Sequence, residues 1–467
     1  MPKGKVVAVV GAGPAGLYLS RKLAEAGVEV AIVNRDVKYG GLAEYGIYHD
    51  KYKMKEGLRK QFRAILSRPN VHYFGNVRVG ADRDLALEEL RALGFDAVVV
   101  AAGAQGTKSL RLEGEDLAGV FHAKDIVYHY NRLPPYAERP FDPGPRVAVI
   151  GVGNVFIDVA HWLVWDRKVE SVIAVARRGP RERKWTPIEL EAIAANVDRD
   201  ALARELERVR PAVETIGQDL DHIRQDLLAE LDKWAQPTPS KTRVLFRFLS
   251  SPTRVIAGPE GRCAGLEVEE TELAGDPEEP KAKGTGRKVV LDVTGVVFAV
   301  GDVADPALGL PYRGGKYVTQ PHHPGTHHGD AAGYHVFDEK KDAPVQGVFV
   351  AGWSRVASEG VVGKAKVDGE KCANVVLGYL MSLSQRPDDH ASAALAALRQ
   401  RLEGPPVPYV TWADLQLLEA WEREQAAARG LADHAEAKLG STAEMLRAIA
   451  ERKGGAATSA AAMRPSP

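Results

Sequence analysis

Gly11, Gly13 and Gly16 stand in G-x-G-x-x-G spacing inside VVGAGPAGL, directly after a short apolar run. In that spacing the first glycine makes a tight turn and the second lets a pyrophosphate approach the backbone. The third lets the following helix sit close to its strand. Ala12, Pro14 and Ala15 fill the loop and the helix start, where unpaired N–H groups attract phosphate. A second loop, GVGNVF, runs from Gly151 through Val152, Gly153, Asn154 and Val155, and carries Phe156 where a third glycine would stand. A side chain there is expected to push the helix slightly off its strand. Asn154 is placed to cap that helix and to touch phosphate or nicotinamide. Downstream, VIAVARRGP ends in Arg177 and Arg178. An acid there suits NAD, whereas two guanidiniums suit a 2′-phosphate through charge-assisted bonds. A solvated arginine pair is the alternative.

The end of the preceding strand in the first loop is unorthodox. A carboxylate is expected there for the hydroxyls of an adenosine ribose, yet VEVAIVNR supplies Asn34 followed by Arg35. An amide still bonds one hydroxyl, without the added strength of a charge.

These residues need elements to hold them. Residues 5–27 and 145–164 each run strand, Gly-rich turn, amphipathic helix, the opening of a Rossmann unit. FDAVVVAAGA (95–104), VTGVVFAVGD (293–302) and VQGVFVAGW (345–353) are buried strands. The first two end in small residues that let another backbone come close. The fold class is α/β: two Rossmann-like nucleotide-binding domains, the second inserted into the first, and a helical C-terminal region. The boundaries drawn are 1–106 and 326–455 for the first domain, 107–325 for the second, and 456–467 as a disordered tail. A charged stretch at about 195–235 reads as a solvated helical insertion. Ser441 and Glu444 have capping-box spacing.

The totals exclude other classes. Sixty-two basic residues balance sixty-two acidic ones in 467 residues, so no global field favours nucleic acid or an anionic membrane. The two cysteines, Cys263 and Cys372, are far apart, which excludes a CxxC redox pair and a cysteine-ligated cluster. Cys372, in an apolar helix, reads as a core residue. No apolar run has bilayer length, the first strand leaves no room for a signal peptide, and a cytoplasmic location is expected. The four histidines of QPHHPGTHHGD (320–330) lack the carboxylate or thiol spacing of a metal site.

The chain as a whole resembles the adrenodoxin-reductase-type ferredoxin–NADP⁺ reductases, which are related to the small subunit of glutamate synthase. The resemblance runs through GGLAEYGI, FGNVRVG, LEGEDLAGVFHAKDIVYHYNRLP, GVGNVFIDVA, RRGP, VFVAGWSRVASEGVVG and VTWADLQLLEAWE. It implies FAD on Ala12 to Gly16, Asn34, Gly41, Leu42, Val77, Ala102 and Gly103. The isoalloxazine would meet Gly352, Trp353, Gly360, Val361 and Val362. It implies NADP(H) on Val152 to Val155, Arg177, Arg178 and Glu189, with the nicotinamide reaching Gly360. By order along the chain VFVAGWSR takes the flavin role, leaving Asp302 of VFAVGDVAD as an interdomain-strand residue. Hydride would pass directly between nicotinamide and flavin, with no catalytic acid or base, and single electrons would leave to a ferredoxin or similar iron–sulfur carrier.

This chain departs from the family at three places. Asn34 replaces an acid and implies looser FAD, which Asn34→Glu would tighten. Lys51 takes a position near the flavin, where it either stabilises a reduced flavin or is an exposed loop lysine. DLDHIRQDLLAELDKW carries Asp219, Asp221, Asp226, Glu230 and Asp232, a poor surface for an acidic partner, and Arg243, Arg247, Arg254 and Arg262 are the other candidate patch. An electron-input subunit of a larger complex, such as a 2-oxoacid oxidoreductase or glutamate-synthase-like assembly, is the alternative function. A nucleotide-binding regulator without turnover is the third.

Overall fold

In the computed structural model, residues 4–321, 333–356, 362–403, 408–431 and 437–462 are described, with side chains to 454. They form two compact units. The first comprises residues 1–108, 131–138 and 301–467, and the second 109–130 and 139–300.

Among the described residues, the first unit carries a six-stranded sheet. Its strands are β1 (Val6–Val10), β2 (Glu29–Val33), β3 (Val71–Phe74), β4 (Ala97–Val100), β17 (His335–Asp338) and β18 (Ala343–Val350). Their order is β17-β18-β4-β1-β2-β3, parallel throughout except for the β17–β18 pair. VVAVV and AVVV are continuous apolar runs because both sheet faces are covered. Val7 and Val9 face one cluster with Leu17, Leu23 and Phe62, while Val6, Ala8 and Val10 face another with Leu85, Leu90 and Leu398. Helices α1 (Pro14–Glu25), α2 (Leu42–Tyr45), α3 (Tyr52–Leu66) and α4 (Leu87–Ala92) precede the inserted unit. After it come α9 (Val362–Ser382), α10 (His390–Leu402), α11 (Trp412–Ala428) and α12 (Thr442–Ala462). A Thr411–Asp414 capping box opens α11, and α12 runs into the 456–467 stretch expected to be disordered, where alanines favour helix.

The second unit has a five-stranded parallel sheet: β6 (Val120–His122), β7 (Arg146–Ile150), β8 (Ser171–Val175), β9 (Arg243–Arg247) and β13 (Gly295–Phe298), in the order β6-β13-β7-β8-β9. An antiparallel sheet of β10 (Ser250–Ala257), β11 (Cys263–Ala274) and β12 (Lys281–Leu291) packs with it around Val255, Leu266, Val268 and Val296. Helices α5 (Ala123–Tyr130) and α6 (Asn154–Trp162) belong to this unit, and α7 (Arg199–Thr215) and α8 (Leu220–Trp234) form the 195–235 insertion. That insertion is amphipathic: Leu202, Leu206, Val209, Val213, Leu220, Ile223, Leu227 and Leu231 are buried.

The first unit resumes at Gly301, earlier than the 326 drawn from sequence. The reason is local pairing, because β14 (Asp302–Val303) hydrogen-bonds antiparallel to β5 (Gly106–Thr107) of the same unit. Asp302 thus lies in a short strand of the first unit, paired with Thr107. The short hairpin β15 (Tyr312–Arg313) and β16 (Lys316–Tyr317) follows it.

Candidate functional site

In the first unit Val10, Val100 and Val350 end neighbouring parallel strands in register. The loops after them therefore emerge side by side at the carboxyl edge, where strand order reverses about β1, the position at which open α/β sheets bind ligands. Gly11 has φ +110°, and a Cβ there would lie 2.6 Å from the Ala101 carbonyl oxygen. A Cβ on Gly16 would lie 2.1 Å from the Gly11 oxygen. Packing alone accounts for those two glycines. Gly13 is different, since a Cβ there meets no protein atom within 4 Å. That open space leaves the backbone at the start of α1 accessible, as a pyrophosphate there would require.

The second loop of the site, residues 40–42, lies against the first. Gly40 N–H donates to the Ala12 oxygen at 2.8 Å, and a Cβ on Gly41 would come 3.0 Å from Gly13 Cα. Its far side is anchored by a buried ionic network. Glu44 bonds Arg59 through both oxygens at 2.8 and 2.9 Å and pairs with Lys438 at 2.5 Å. Burial alone would raise the Glu44 carboxyl, but Lys438 and Arg59 outweigh it and hold the group well below its usual range. Lys38 pairs with Glu422, and the Tyr39 hydroxyl donates to Glu419 at 2.5 Å, tying this loop to α11.

Asn34 is built into this assembly. Its Oδ1 accepts from Ala12 N–H at 3.0 Å, and its Nδ2 donates to the carbonyls of Asp36 (2.8 Å) and Lys38 (3.0 Å) and to the Tyr73 hydroxyl (3.1 Å). The side chain is 8% exposed. The expectation that this amide reaches out to a ribose is corrected, because both N–H donors are engaged within the fold. It clamps the Gly-rich loop to the loop after β2. Val77 is buried beside it, with its N–H on the Asn34 backbone carbonyl at 2.9 Å.

At the third loop, Gly103 N–H donates to Ser354 Oγ at 2.9 Å, beside Ala102. Gly352 has φ +63° and donates its N–H to Asp368 at 2.5 Å, and Asp368 also pairs with Arg355. Trp353 is partly exposed between them. Gly369 of α9 packs on the Ala15 oxygen, where a Cβ would intrude to 2.3 Å. The first two loops and the 352–354 turn are thus held together. Val362 opens α9, whereas Gly360, Val361 and the four histidines lie outside the described residues. Lys51 is the N-cap residue before α3 and is half-buried.

The second unit repeats the logic. Gly151 has φ +121° and its Cβ would lie 2.5 Å from the Ala299 oxygen, while Gly153 has only the Lys184 oxygen at 3.9 Å. The expected cap by Asn154 is corrected: Gly153 is the N-cap, and the Asn154 amide bonds Thr186 N–H (2.7 Å) and Oγ1 (3.1 Å). Phe156 fills the missing glycine's place by joining Trp185 and Phe246 in an aromatic cluster. Val152 and Val155 flank the helix start, and Glu189 sits half-buried in the turn Pro187–Ala192.

Beside this loop lies a cleft of about 680 Å³ lined by the cations Arg177, Arg178, Arg181, Arg183, Lys184 and Lys281 together with Glu182, Glu278 and Glu279. Arg181 pairs with Glu278 at 2.6 Å and Arg183 with Glu230 at 2.8 Å. Arg177, Arg178, Lys184 and Lys281 have no carboxylate partner among the described residues. Lys184 sits at the Gly-rich loop itself, its N–H on the Val152 oxygen at 2.9 Å. Sequence reasoning singled out the arginine pair and passed over Lys184, although the run RRGPRERK carries five cations in eight residues. Lys281 has no local signal, since the antiparallel hairpin brings it in.

Most of the acids singled out in the insertion are engaged. Asp219 caps α8, Asp221 pairs with Arg210, Glu230 with Arg183 and Asp232 with Arg199. The four candidate patch arginines are also taken: Arg243 by Asp198, Arg247 by Glu270, Arg254 by Glu267 and Arg262 by Asp142. Cys263 and Cys372 are both buried and unpaired, and burial pushes both thiols up. Among the described residues no cluster of metal-ligating side chains occurs, and no helix is long and apolar enough to cross a membrane.

The model of the pyridine nucleotide-disulphide oxidoreductase family matches residues 5–353. NADPH-ferredoxin reductase FprA of Mycobacterium leprae is 29% identical over 94% of this chain and 97% of its own length. Mitochondrial NADPH:adrenodoxin oxidoreductase of Salvelinus fontinalis is 29% identical over 91% and 87%. The structure of Mycobacterium tuberculosis FprA in complex with NADPH superposes with a TM-score of 0.76 at 27% identity, over 95% of this chain and 99% of that one.

Proposed function

The chain belongs to the pyridine nucleotide-disulphide oxidoreductase family, and on that premise we propose that it is an FAD enzyme exchanging hydride with NADP(H) and single electrons with a ferredoxin-type carrier. The observation that carries this reading is the pair of Gly-rich turns at Gly11–Gly16 and Gly151–Gly153, with Arg177, Arg178, Lys184 and Lys281 gathered without carboxylate partners among the described residues beside the second. FAD would be held by Ala12 to Gly16, Gly41, Leu42, Ala102, Gly103, Gly352 and Trp353, with Asn34 and Val77 setting the loop behind them. NADP(H) would be held by Val152 to Val155, Arg177, Arg178 and Glu189. When bound, FAD supplies the conversion of a hydride pair into single electrons. The chain's own task is positioning: loop amides neutralise pyrophosphate, guanidiniums take the 2′-phosphate, and no side chain need move a proton.

The alternatives lose their support. Four of the five acids singled out in the insertion are engaged by arginines or spent on a cap, and Asn34 is a loop clamp, so neither points to a permanent larger assembly. Both thiols are buried singly, so an external carrier is the outlet that fits, and a reducing cytoplasm suits them. The relatives named NADPH-ferredoxin reductase and NADPH:adrenodoxin oxidoreductase support the same choice. The test is an absorbance spectrum of the purified protein followed by anaerobic titration. A yellow protein bleached by NADPH and far less readily by NADH is expected. A colourless protein, or one bleached equally by both, would overturn the reading.

A further inference from the structure

Two lysines of the second unit line the arginine cleft without a carboxylate partner, and the backbone around each holds it there. Lys184 lies on a segment that runs parallel to the Gly-rich loop, bridged to Gly153, with its N–H on the Val152 oxygen at 2.9 Å. The residues on either side of it are tied down. Arg183 pairs with Glu230 at 2.8 Å, and Trp185 Nε1–H donates to the same carboxylate at 3.2 Å. Thr186 N–H bonds Asn154 at 2.7 Å. Trp185 is thus turned into the aromatic cluster, while the Lys184 side chain is left exposed in the cleft wall. Lys281 begins β12 and stands opposite Ala274 of β11. Two residues on, Lys283 stands opposite Glu272 and pairs with it at 3.9 Å. Lys281 has no such acid across the hairpin, and it lines the same cleft as Lys184.

The cleft's own acids do not balance its cations. Glu278 is taken by Arg181 at 2.6 Å, Glu182 accepts from Gln218 at 2.7 Å, and Glu279 is exposed in the turn between β11 and β12. Arg177, Arg178, Lys184 and Lys281 therefore leave a local positive field in a chain that is neutral overall. The two arginines are fixed at their backbones, where the Arg177 oxygen accepts from Thr271 Oγ1 at 2.7 Å and the Arg178 oxygen from Leu249 N–H at 3.1 Å. A phosphate monoester brings roughly 1.5 to 2 negative charges at neutral pH, which suits more than one cation. A pyrophosphate would be met by the amides of the Gly-rich loop, so the charge left for this cleft is the one at the strand end. Guanidiniums supply directed pairs of bonds there, and ammonium groups arriving from two other segments supply point charges.

We propose that Lys184 and Lys281 complete the 2′-phosphate site that Arg177 and Arg178 begin, and so are specificity-determining residues for NADP(H) over NAD(H). The proposal rests on the NADP(H) reading given above. An exposed ion pair changes affinity only a fewfold, so the test removes both lysines together. Binding of NADP⁺, NAD⁺ and 2′,5′-ADP to the FAD-loaded protein is measured by calorimetry at low salt, where exposed charges are least screened. Wild type is compared with Lys184→Gln/Lys281→Gln, with Lys184→Arg and with Arg177→Ala/Arg178→Ala. Expected are a loss of about tenfold in affinity for NADP⁺ and 2′,5′-ADP in the double lysine variant, NAD⁺ binding equal to wild type, and near wild-type NADP⁺ binding in Lys184→Arg. Unchanged NADP⁺ affinity in the double lysine variant would overturn the proposal. So would equal losses for NADP⁺ and NAD⁺, which would put the lysines on a group common to both nucleotides. In either case, a selective loss of NADP⁺ in the arginine variant would leave the NADP(H) reading standing. Wild type that binds NAD⁺ as tightly as NADP⁺ would overturn that reading and the lysine assignment with it.

Discussion

Replacing Asn34 by aspartate changes one NH₂ group into a carboxylate oxygen without changing shape. The Nδ2 group donates to two carbonyls and a hydroxyl at 2.8 to 3.1 Å, in a site 8% exposed. The carboxylate would instead point an acceptor at two acceptors. The two N–H donors make at most two full bonds, whose loss at about 1 kcal/mol each gives roughly 2 kcal/mol, and an unpaired buried charge costs about 3–5 kcal/mol when it stays ionised. The group avoids the second cost by holding its proton, so its folded-state pKa rises above the usual value of about 3.9. The folded state then binds more protons than the unfolded one. Stability falls as pH rises from about 4 through that raised pKa, and stays low above it. Asn34→Asp should therefore unfold at lower temperature and lose FAD faster than wild type, with a larger deficit at pH 8 than at pH 5. Thermal unfolding and flavin-fluorescence release at both pH values measure this. Asn34→Glu should behave likewise, reversing the expectation that an acid here tightens FAD. Tighter FAD with unchanged unfolding in either variant would refute the reasoning, because it would mean that the carboxylate reaches the ribose.

Three further outcomes follow from the geometry. Arg177→Ala/Arg178→Ala should lower kcat/KM for NADPH by about 30- to 1,000-fold, from two charge-assisted contacts of roughly 1–2 kcal/mol each, and NADH by no more than a fewfold; equal losses would remove the 2′-phosphate assignment. Gly11→Ala should cripple folding, since its Cβ would sit 2.6 Å from a carbonyl oxygen, whereas Gly13→Ala should fold with wild-type circular dichroism and come off the column short of FAD. Glu44 is held well below its ordinary pKa by Lys438 and Arg59, so its contribution is present above about pH 4.5 and lost as pH falls through the lowered value. Glu44→Gln should accordingly be less stable at pH 7 and show a shallower acid limb in unfolding against pH.

The glycine spacings, the arginines closing β8 and the want of a cysteine pair were legible in the sequence, and with them the two-site architecture. Each is a local property: a positive φ, a tight turn or a charge at a strand end is set by a few adjacent residues. Asn34 was read by its position in a pattern, and its partners lie elsewhere. Tyr73 arrives on β3, and the carbonyls of Asp36 and Lys38 turn back only once Lys38 and Tyr39 are anchored on α11. The acids of α8 looked like a charged face because the arginines that engage them come from other segments. Arg183 stands 47 residues from Glu230, and Arg199 33 from Asp232. Lys281 joins Arg177 only across a β-hairpin. Nor does sequence separate Gly11, required by packing, from Gly13, required by no protein atom. Composition and spacing determined what kinds of group this protein would bind. The tertiary structure decided which side chains remain available to do so, because a hydrogen-bond donor or a charge is satisfied by whatever the fold brings within about 3 Å of it.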